Sequence, residues 1–304
     1  YSDNFSPFPL DKVLALHEKN QRPLTFMVAS KKPGNIALDE AGIVQKYDNN
    51  RPDNVFDYVE IGYMVVEKDK TLGFYEFPGC SFSSILQKMV VKRQISAWIQ
   101  HDAYHSISDV ERWKKAEEYL SFKKIILIDR DGVINKKALK GEYISRWEEF
   151  EWIDETREAM KKLSQEGFSF IVISNQAGVA RKMIEYSELK RIHSNMLKEL
   201  QKDDIEILDI YVCPHHWNDN CQCRKPNPGL FFKASREYMF RLDKAIFIGD
   251  DPRDCKAASN AGCSSIFIGN EKYLNELEHE DRPIYSSESL LDSINTINNF
   301  YNNF

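Results

Sequence analysis

The residue order predicts an α/β protein: a doubly wound parallel sheet preceded by a smaller α/β region. Three observations carry this expectation. From residue 125 onward, short apolar runs alternate with helical patterns, as in a series of βαβ units. The first run, Ile125-Ile126-Leu127-Ile128, has no polar break, which suits a strand buried on both faces. Each of the first four runs also ends in a polar group, and parallel strands would bring all four groups to one edge of the sheet. In open α/β sheets that edge binds ligands.

Taken in order, residues 10–19 form a short helical pattern and residues 23–30 a strand. Residues 35–48 read as a hairpin turning at Glu40-Ala41-Gly42, and residues 55–66 as a longer strand. Helices are expected over 80–89 and 108–120, around a strand at 95–100. The second helix carries Trp113, Ala116 and Leu120 at helical spacing. After a linker, Ser121-Phe122-Lys123-Lys124, come a strand at 125–128 and a helix at 154–165 with Met160 and Leu163 inward. A strand at 168–173 follows, then a helix over 187–202 that presents Leu189, Ile192, Met196 and Leu200 on one face. Glu185-Tyr186-Ser187 supplies its N-cap. Strands at 205–212, 245–248 and 265–268 alternate with helices at 228–241 and 252–261. Leu290, Leu291, Ile294, Ile297 and Tyr301 mark a final amphipathic helix.

Length and composition bound the function. A chain of 304 residues is long enough for two domains, expected at 1–120 and 121–304. Its 42% hydrophobic and 29% charged content is that of a globular protein. A net charge of −6 argues against nucleic acid or an anionic membrane surface as partner. No apolar run approaches the roughly 20 residues of a membrane span. The first residue is Tyr1 rather than Met, so the chain is expected to begin part-way through a longer protein. Three of six cysteines crowd into 213–223, which fits a metal site in a reducing cytoplasm better than a disulfide framework.

The polar groups at the strand ends define the chemistry. Asp129 and Asp131 follow the first strand, Ser174-Asn175-Gln176 the second, residues 213–225 the third and Gly249-Asp250-Asp251 the fourth. Carboxylates brought together repel unless a cation sits between them. Oxygen ligands without histidine select a hard ion such as Mg²⁺. A hydroxyl, an amide and a lysine beside that ion suit a phosphate dianion. A carboxylate can then attack phosphorus, which makes Asp129 the expected nucleophile. Asp131, two residues on, is the expected general acid and base. In the cysteine cluster, Cys213, His215, Cys221 and Cys223 have the composition of a closed tetrahedral Zn²⁺ site, placing Arg224 and Lys225 directly after the last ligand. His216 falls outside that pattern, Cys255 and Cys263 are expected in the core, and Cys80 has no visible role.

The segments DRDGVIN, SNQAGVARK, CPHHWNDNCQCRKPNPG and GDDPRDCKAASNAG resemble the four motifs of haloacid-dehalogenase-type phosphatases. More narrowly they resemble the D-glycero-D-manno-heptose-1,7-bisphosphate 7-phosphatases, relatives of the histidinol phosphatases. The resemblance covers most of 122–270. It implies Mg²⁺ held by Asp129, the Asp131 backbone carbonyl and Asp250, with Ser174 on the transferring phosphoryl group and Lys225 neutralising it. Asn175 and Arg224 would contact a small phosphorylated sugar. Arg181, read from its own place in GVARK, is expected to hold substrate or its loop or else to be a surface arginine. The family has Lys where this chain has Asp251, which leaves the substrate open. Asp251 is expected either to support the metal or to be solvated; Asp254 is expected either to support the metal site from the first turn of its helix or, by preference, to interact with that helix's N-terminus. Tyr143 and Trp147 are expected to pack as aromatics or to cover the pocket.

Residues 1–120 resemble the second half of sugar-phosphate nucleotidyltransferases, through YSDNF, LTFMVAS, LDEAGIVQKYD, VEIGYMVVEKD and ISDVERWKKAEEYL. The resemblance implies a metal-binding role for Asp3. The family's glycine-rich nucleotide loop is absent, and its second metal Asp falls on Ala103, with Asp102 one place out of register and His101 and His105 nearby. A truncated or degenerate transferase domain is therefore expected. The reading for the whole chain is a cytoplasmic sugar-phosphate phosphatase. The alternatives are a histidinol-phosphate phosphatase, another small phosphomonoesterase, or a non-catalytic sugar-phosphate-binding partner of a transferase.

Overall fold

The computed structural model describes residues 4–48, 55–74, 81–139 and 141–304. The expectations on Asp3 and Cys80 lie outside the described residues. The chain divides into two compact units, Tyr1–Glu118 and Tyr119–Phe304.

In the first unit the described elements are β1 (Asn4–Phe5), α1 (Leu10–Asn20), β2 (Leu24–Ser30), β3 (Ile36–Leu38), β4 (Val44–Tyr47), β5 (Tyr58–Val66), α2 (Lys68–Leu72), α3 (Phe82–Val91), β6 (Ile95–Gln100), β7 (His105–Ser106) and the start of α4 (Val110–Leu120). Five strands form one sheet in the order β4-β3-β5-β2-β6, in which only the β2–β6 pairing is parallel. Side chains alternate across β2, so Leu24, Phe26 and Val28 join Ile85 and Met89 of α3, while Met27 joins Val13 of α1. On the α1 side of the sheet a buried polar chain runs from His17 Nδ1 to the Thr25 hydroxyl (2.7 Å) and on to the Ser96 hydroxyl (2.8 Å). The short β1–β7 pair and α2 carry too few residues to leave a periodic signal. In α4 Ala116 is buried as its spacing implies, together with Tyr119, whereas Trp113 and Leu120 are half exposed, so the buried face is rotated from the one expected.

The second unit contains β8 (Ile125–Ile128), α5 (Asp154–Gln165), β9 (Ser169–Asn175), α6 (Tyr186–Gln201), β10 (Ile207–Cys213), α7 (Gly229–Tyr238), β11 (Ile246–Gly249), α8 (Pro252–Ala261), β12 (Ser264–Ile268), β13 (Tyr285–Ser287) and α9 (Ile294–Tyr301). The sheet is parallel throughout, in the order β10-β9-β8-β11-β12-β13. It is the doubly wound sheet expected, with β13 added at one edge. Its strands are apolar on both faces because helices cover both. Ile126, Ile128, Phe170, Val172, Ile246 and Ile248 pack with Met160, Leu163, Ile192, Met196 and Leu200 from α5 and α6. Ile125, Leu127, Ile171, Ile173 and Phe247 pack with Phe231, Ala234, Ala257 and Ala258 from α7 and α8. The Tyr301 hydroxyl of α9 donates to the Ile125 carbonyl and accepts from the Ile246 amide at 3.2 Å, tying the last helix to the two central strands. The N-cap of α6 is Glu185, and its side chain makes no capping bond.

Strand order reverses between β8 and β11: from β8 the chain winds outward to β9 and β10, then returns to β11 on the other side. A crevice opens at such a switch point, because the flanking connections leave in opposite directions.

Candidate active site

Asp129 leaves β8 at the switch point, its amide donating to the Ile248 carbonyl of β11 at 2.8 Å. The following turn is tight: the Gly132 amide bonds the Asn135 carbonyl at 2.7 Å, and Gly132 takes φ +94°. A Cβ on Gly132 would lie 2.0 Å from Asp250 Oδ2, so the turn admits only glycine. From β11, Asp250 comes up against this turn, and from the first turn of α8 comes Asp254. Carboxylate oxygens of Asp129, Asp250 and Asp254 lie within 4.8 Å of one another. Lys225, 2% exposed, reaches both Asp129 (2.9 Å) and Asp254 (2.8 Å), with Nζ also donating to the Ile173 carbonyl at 3.0 Å. Lys137 Nζ lies 2.5 Å from Asp250 Oδ2.

The electrostatics of this cluster are those of a site short of positive charge. Burial pushes the Asp129 carboxyl up; Lys225 opposes this, and Asp254, Asp250 and Asp131 add to it. Burial likewise raises Asp250, to about 6, with Lys137 lowering it and Asp254 and Asp251 raising it. Asp250 Oδ1 is buried with no hydrogen-bond partner among the described residues. An orphaned carboxylate oxygen among clustered acids fits a hard divalent cation.

Asp131 is in a different environment. Arg130, wholly buried, grips it with Nη2 at 2.7 and 2.8 Å and Nε at 3.1 Å; Asn135 donates at 2.9 Å and Gln176 at 2.6 Å. Burial raises its pKa, but Arg130 and these hydrogen bonds outweigh it and hold the carboxyl below the usual range. Arg130 Nη1 meets His193 Nε2 at 3.0 Å. Burial and the Arg130 charge drive that imidazole down to about 3, Asp131 opposing, so it stays neutral and accepts from the arginine.

Ser174 is buried at the end of β9, its hydroxyl accepting from Gln176 at 2.9 Å. Asn175 is placed otherwise than expected: its amide oxygen accepts from the Lys225 amide (3.0 Å) and its nitrogen donates to the Lys225 carbonyl (3.1 Å), so it positions Lys225. Arg224 has a buried Nη1 without a hydrogen-bond partner among the described residues and lines a cleft with His216, Trp217 and Arg253. Arg181 is exposed, stacked on Tyr143 and Trp217, and 3.3 Å from the Tyr143 hydroxyl, so it braces a loop. Trp147 stacks on Phe150 against the core and does not cover the pocket. Asp251 is not plainly solvated: it caps α8 and pairs with Arg253 at 2.8 Å. Asp254 closes that capping box and also receives Lys225, which ties it to the site more closely than expected. The residue order assigns no role to Lys137, Gln176 or Arg130: Lys137 and Gln176 owe theirs to long-range contacts with Asp250 and Asp131, whereas Arg130 is the chain neighbour of the Asp131 it grips.

At the end of β10 the four expected metal ligands converge. Cys213, Cys221 and Cys223 Sγ atoms are 3.4–3.6 Å apart, and His215 Nδ1 lies 3.6 Å from Cys213 and 3.1 Å from Cys223. Zn–S bonds of about 2.3 Å in a tetrahedron put sulfurs about 3.8 Å apart. The set therefore fits a closed tetrahedral ion. Burial raises Cys213, and burial and the neighbouring thiols raise Cys223, whereas at Cys221 burial is outweighed by hydrogen bonds from Cys223, Cys213 and the backbone, which lower it. His216 caps the following turn and stacks on Trp217. Cys255 and Cys263 are buried in the core. Among the described residues no such cluster occurs in the first unit, and Ala103 is buried there.

A D-glycero-α-D-manno-heptose-1,7-bisphosphate 7-phosphatase of Campylobacter jejuni is 36% identical over 149 residues, 49% of this chain and 84% of its own. The chain belongs to this phosphatase family. It is a phosphoric monoester hydrolase. A D-glycero-β-D-manno-heptose-1,7-bisphosphate 7-phosphatase of Bordetella bronchiseptica, another member of the family, is 33% identical, over 48% of this chain and 80% of its own. The solved D,D-heptose 1,7-bisphosphate phosphatase of B. bronchiseptica, complexed with magnesium and phosphate, superposes with a TM-score of 0.53 at 30% identity. That match covers 58% of this chain and 98% of that one. Residues 124–266 also match the family described as polynucleotide kinase 3 phosphatase.

Proposed function

We propose that the second unit removes the 7-phosphate of D-glycero-D-manno-heptose 1,7-bisphosphate through an aspartyl-phosphate on Asp129. The observation that carries this is the meeting of Asp129, Lys225, Asp250 and Asp254 at the switch point, beside a family whose members bear that substrate's name. Asp129, the Asp131 backbone carbonyl and Asp250 would hold Mg²⁺, as the family resemblance and the orphaned Asp250 oxygen support. When bound, the ion neutralises charge on the phosphoryl oxygens.

An Asp129 oxygen attacks phosphorus as the P–O bond to the sugar breaks, and Asp131 delivers a proton to the departing alkoxide. Asp131 then takes a proton from water, whose oxygen attacks phosphorus, releasing phosphate and restoring Asp129. The Arg130 grip keeps Asp131 in the base form that the second step needs. The acid form is regenerated when Asp131 takes the water proton, and for the first turnover the proton can arrive with the substrate, whose phosphate titrates near pH 6. Ser174 donates to a phosphoryl oxygen, Lys225 lowers the charge on the attacking centre, and Arg224 faces the sugar phosphate. Cys213, His215, Cys221 and Cys223 would hold Zn²⁺, which would order the loop that delivers Arg224 and Lys225. The first unit is read as a remnant of a sugar nucleotidyltransferase serving the same nucleotide-sugar route.

Steady-state phosphate release across the heptose bisphosphate, histidinol phosphate and other sugar phosphates, with and without Mg²⁺, tests the reading. Equal turnover of histidinol phosphate would sink the substrate assignment, and no release from any ester would favour a binding role instead.

A further inference from the structure

Lys137 is a charged group that no step above uses. It sits on the connection from β8 to α5, half exposed, in a cleft it lines with Tyr143, Ile144 and Met183. Gly132 lets it approach: a Cβ there would fall 2.6 Å from Lys137 Cε as well as against Asp250. Its ammonium holds Asp250 Oδ2 and leaves Oδ1 unpartnered. The charges around the site then stand as follows. Arg130 faces Asp131, Lys225 faces Asp129 and Asp254, and Lys137 faces Asp250. Three cations thus meet four carboxylates, and one divalent ion turns that deficit into a surplus suited to a dianion. Asp251 does not alter the count, since Arg253 neutralises it.

We propose that Lys137 is a second phosphate-binding cation, reaching the transferring phosphoryl group from the β8–α5 connection while Lys225 acts from the loop after the cysteine cage. This rests on the phosphatase reading above. A lysine suits the task because its ammonium is a point charge with three donors on a flexible stem, able to pass from Asp250 to a phosphate oxygen. A residue serving only to hold Asp250 for the metal would act differently. A cation beside a metal site repels the metal, so removing a phosphate-binding Lys137 leaves metal affinity unchanged or tighter while weakening the anion.

Calorimetric titrations with Mg²⁺ alone, and with inorganic phosphate at saturating Mg²⁺, separate the two roles. Lys137→Met is expected to bind Mg²⁺ at least as tightly as the wild type and phosphate about 10-fold more weakly, the loss of one charge-assisted hydrogen bond. Lys137→Arg should restore phosphate affinity to within about 3-fold. Lys137→Gln serves in the same titrations if the methionine variant does not fold. Phosphate affinity within about 3-fold of wild type in the charge-removed variant, or a parallel loss of Mg²⁺ and phosphate, overturns the proposal. Failure of the wild type to bind phosphate with Mg²⁺ and to release it from any ester overturns the phosphatase reading instead.

Discussion

The cysteine-histidine cage takes its four ligands from eleven consecutive residues, 213–223, whereas the carboxylate cluster draws Asp129 from β8, Asp250 from the end of β11 and Asp254 from α8. The cage is closed and soft, with three sulfurs and a nitrogen at mutual distances a zinc tetrahedron would impose. The cluster is open and hard, with an orphaned oxygen and a deficit of positive charge. A short loop can arrange four ligands locally if a metal repays its ordering entropy. Carboxylates more than a hundred residues apart converge only because a sheet already holds their strands in register. The two regions are joined by Lys225, which leaves the cage loop at one end and meets Asp129 and Asp254 at the other.

Four measurements would break or sharpen this contrast. The largest effect is expected at the open cluster: Asp129→Asn should lower phosphate release by at least about 10³-fold, with the fold kept by circular dichroism. Residual turnover above a few per cent would remove Asp129 as nucleophile. Next is the link between the regions. Lys225→Met leaves two buried carboxylates facing each other, and urea unfolding in EDTA should show a loss of about 3–5 kcal/mol. Mg²⁺ should recover part of it, and a loss indifferent to Mg²⁺ would separate Lys225 from the metal cluster.

The third measurement opposes the two metals directly. Cys223→Ser should abolish bound zinc, measured by atomic absorption, and lower activity roughly 10-fold or more by freeing Arg224 and Lys225. Mg²⁺ removal should be reversed by adding Mg²⁺ back, while zinc removal should also lower the thermal midpoint. Full activity in a zinc-free protein would reduce the cage to an ornament of the loop. The effect that is smallest at neutral pH lies behind Asp131. His193 has its pKa depressed to about 3 in the folded chain against about 6.5 unfolded. The unfolded state therefore binds the extra proton between these values, and stability falls as pH drops from about 6.5 toward 3. The slope approaches about 1.4 kcal/mol per pH unit. His193→Gln should flatten that part of a urea-unfolding pH profile, and an unchanged slope would exclude the imidazole as its source.

Much of this is legible in the residue order. The strand at Ile125–Ile128 and the helices at Asp154–Gln165 and Pro252–Ala261 lie where their periodicity puts them, because buried strands and amphipathic helices announce themselves by hydrophobic pattern. The two-residue pairing of Asn4–Phe5 with His105–Ser106 was not readable, since two residues carry no period. Trp113 misled for a related reason: helical spacing says which residues share a face but not how a neighbouring element shields it.

The same division runs through the site. Residue order alone implies the apolar strand ahead of Asp129, the parallel alternation that sends the strand ends to one edge, and the local ligand set of the cage. These are short-range matters of pattern and spacing. Only the folded chain reveals that Asn175 clamps the Lys225 backbone, that Asp254 shares Lys225 with Asp129, and that Lys137 stands over Asp250. Those pairings depend on side-chain reach across strands that are distant in sequence, and burial makes each of them consequential by removing the water that would otherwise satisfy the charges.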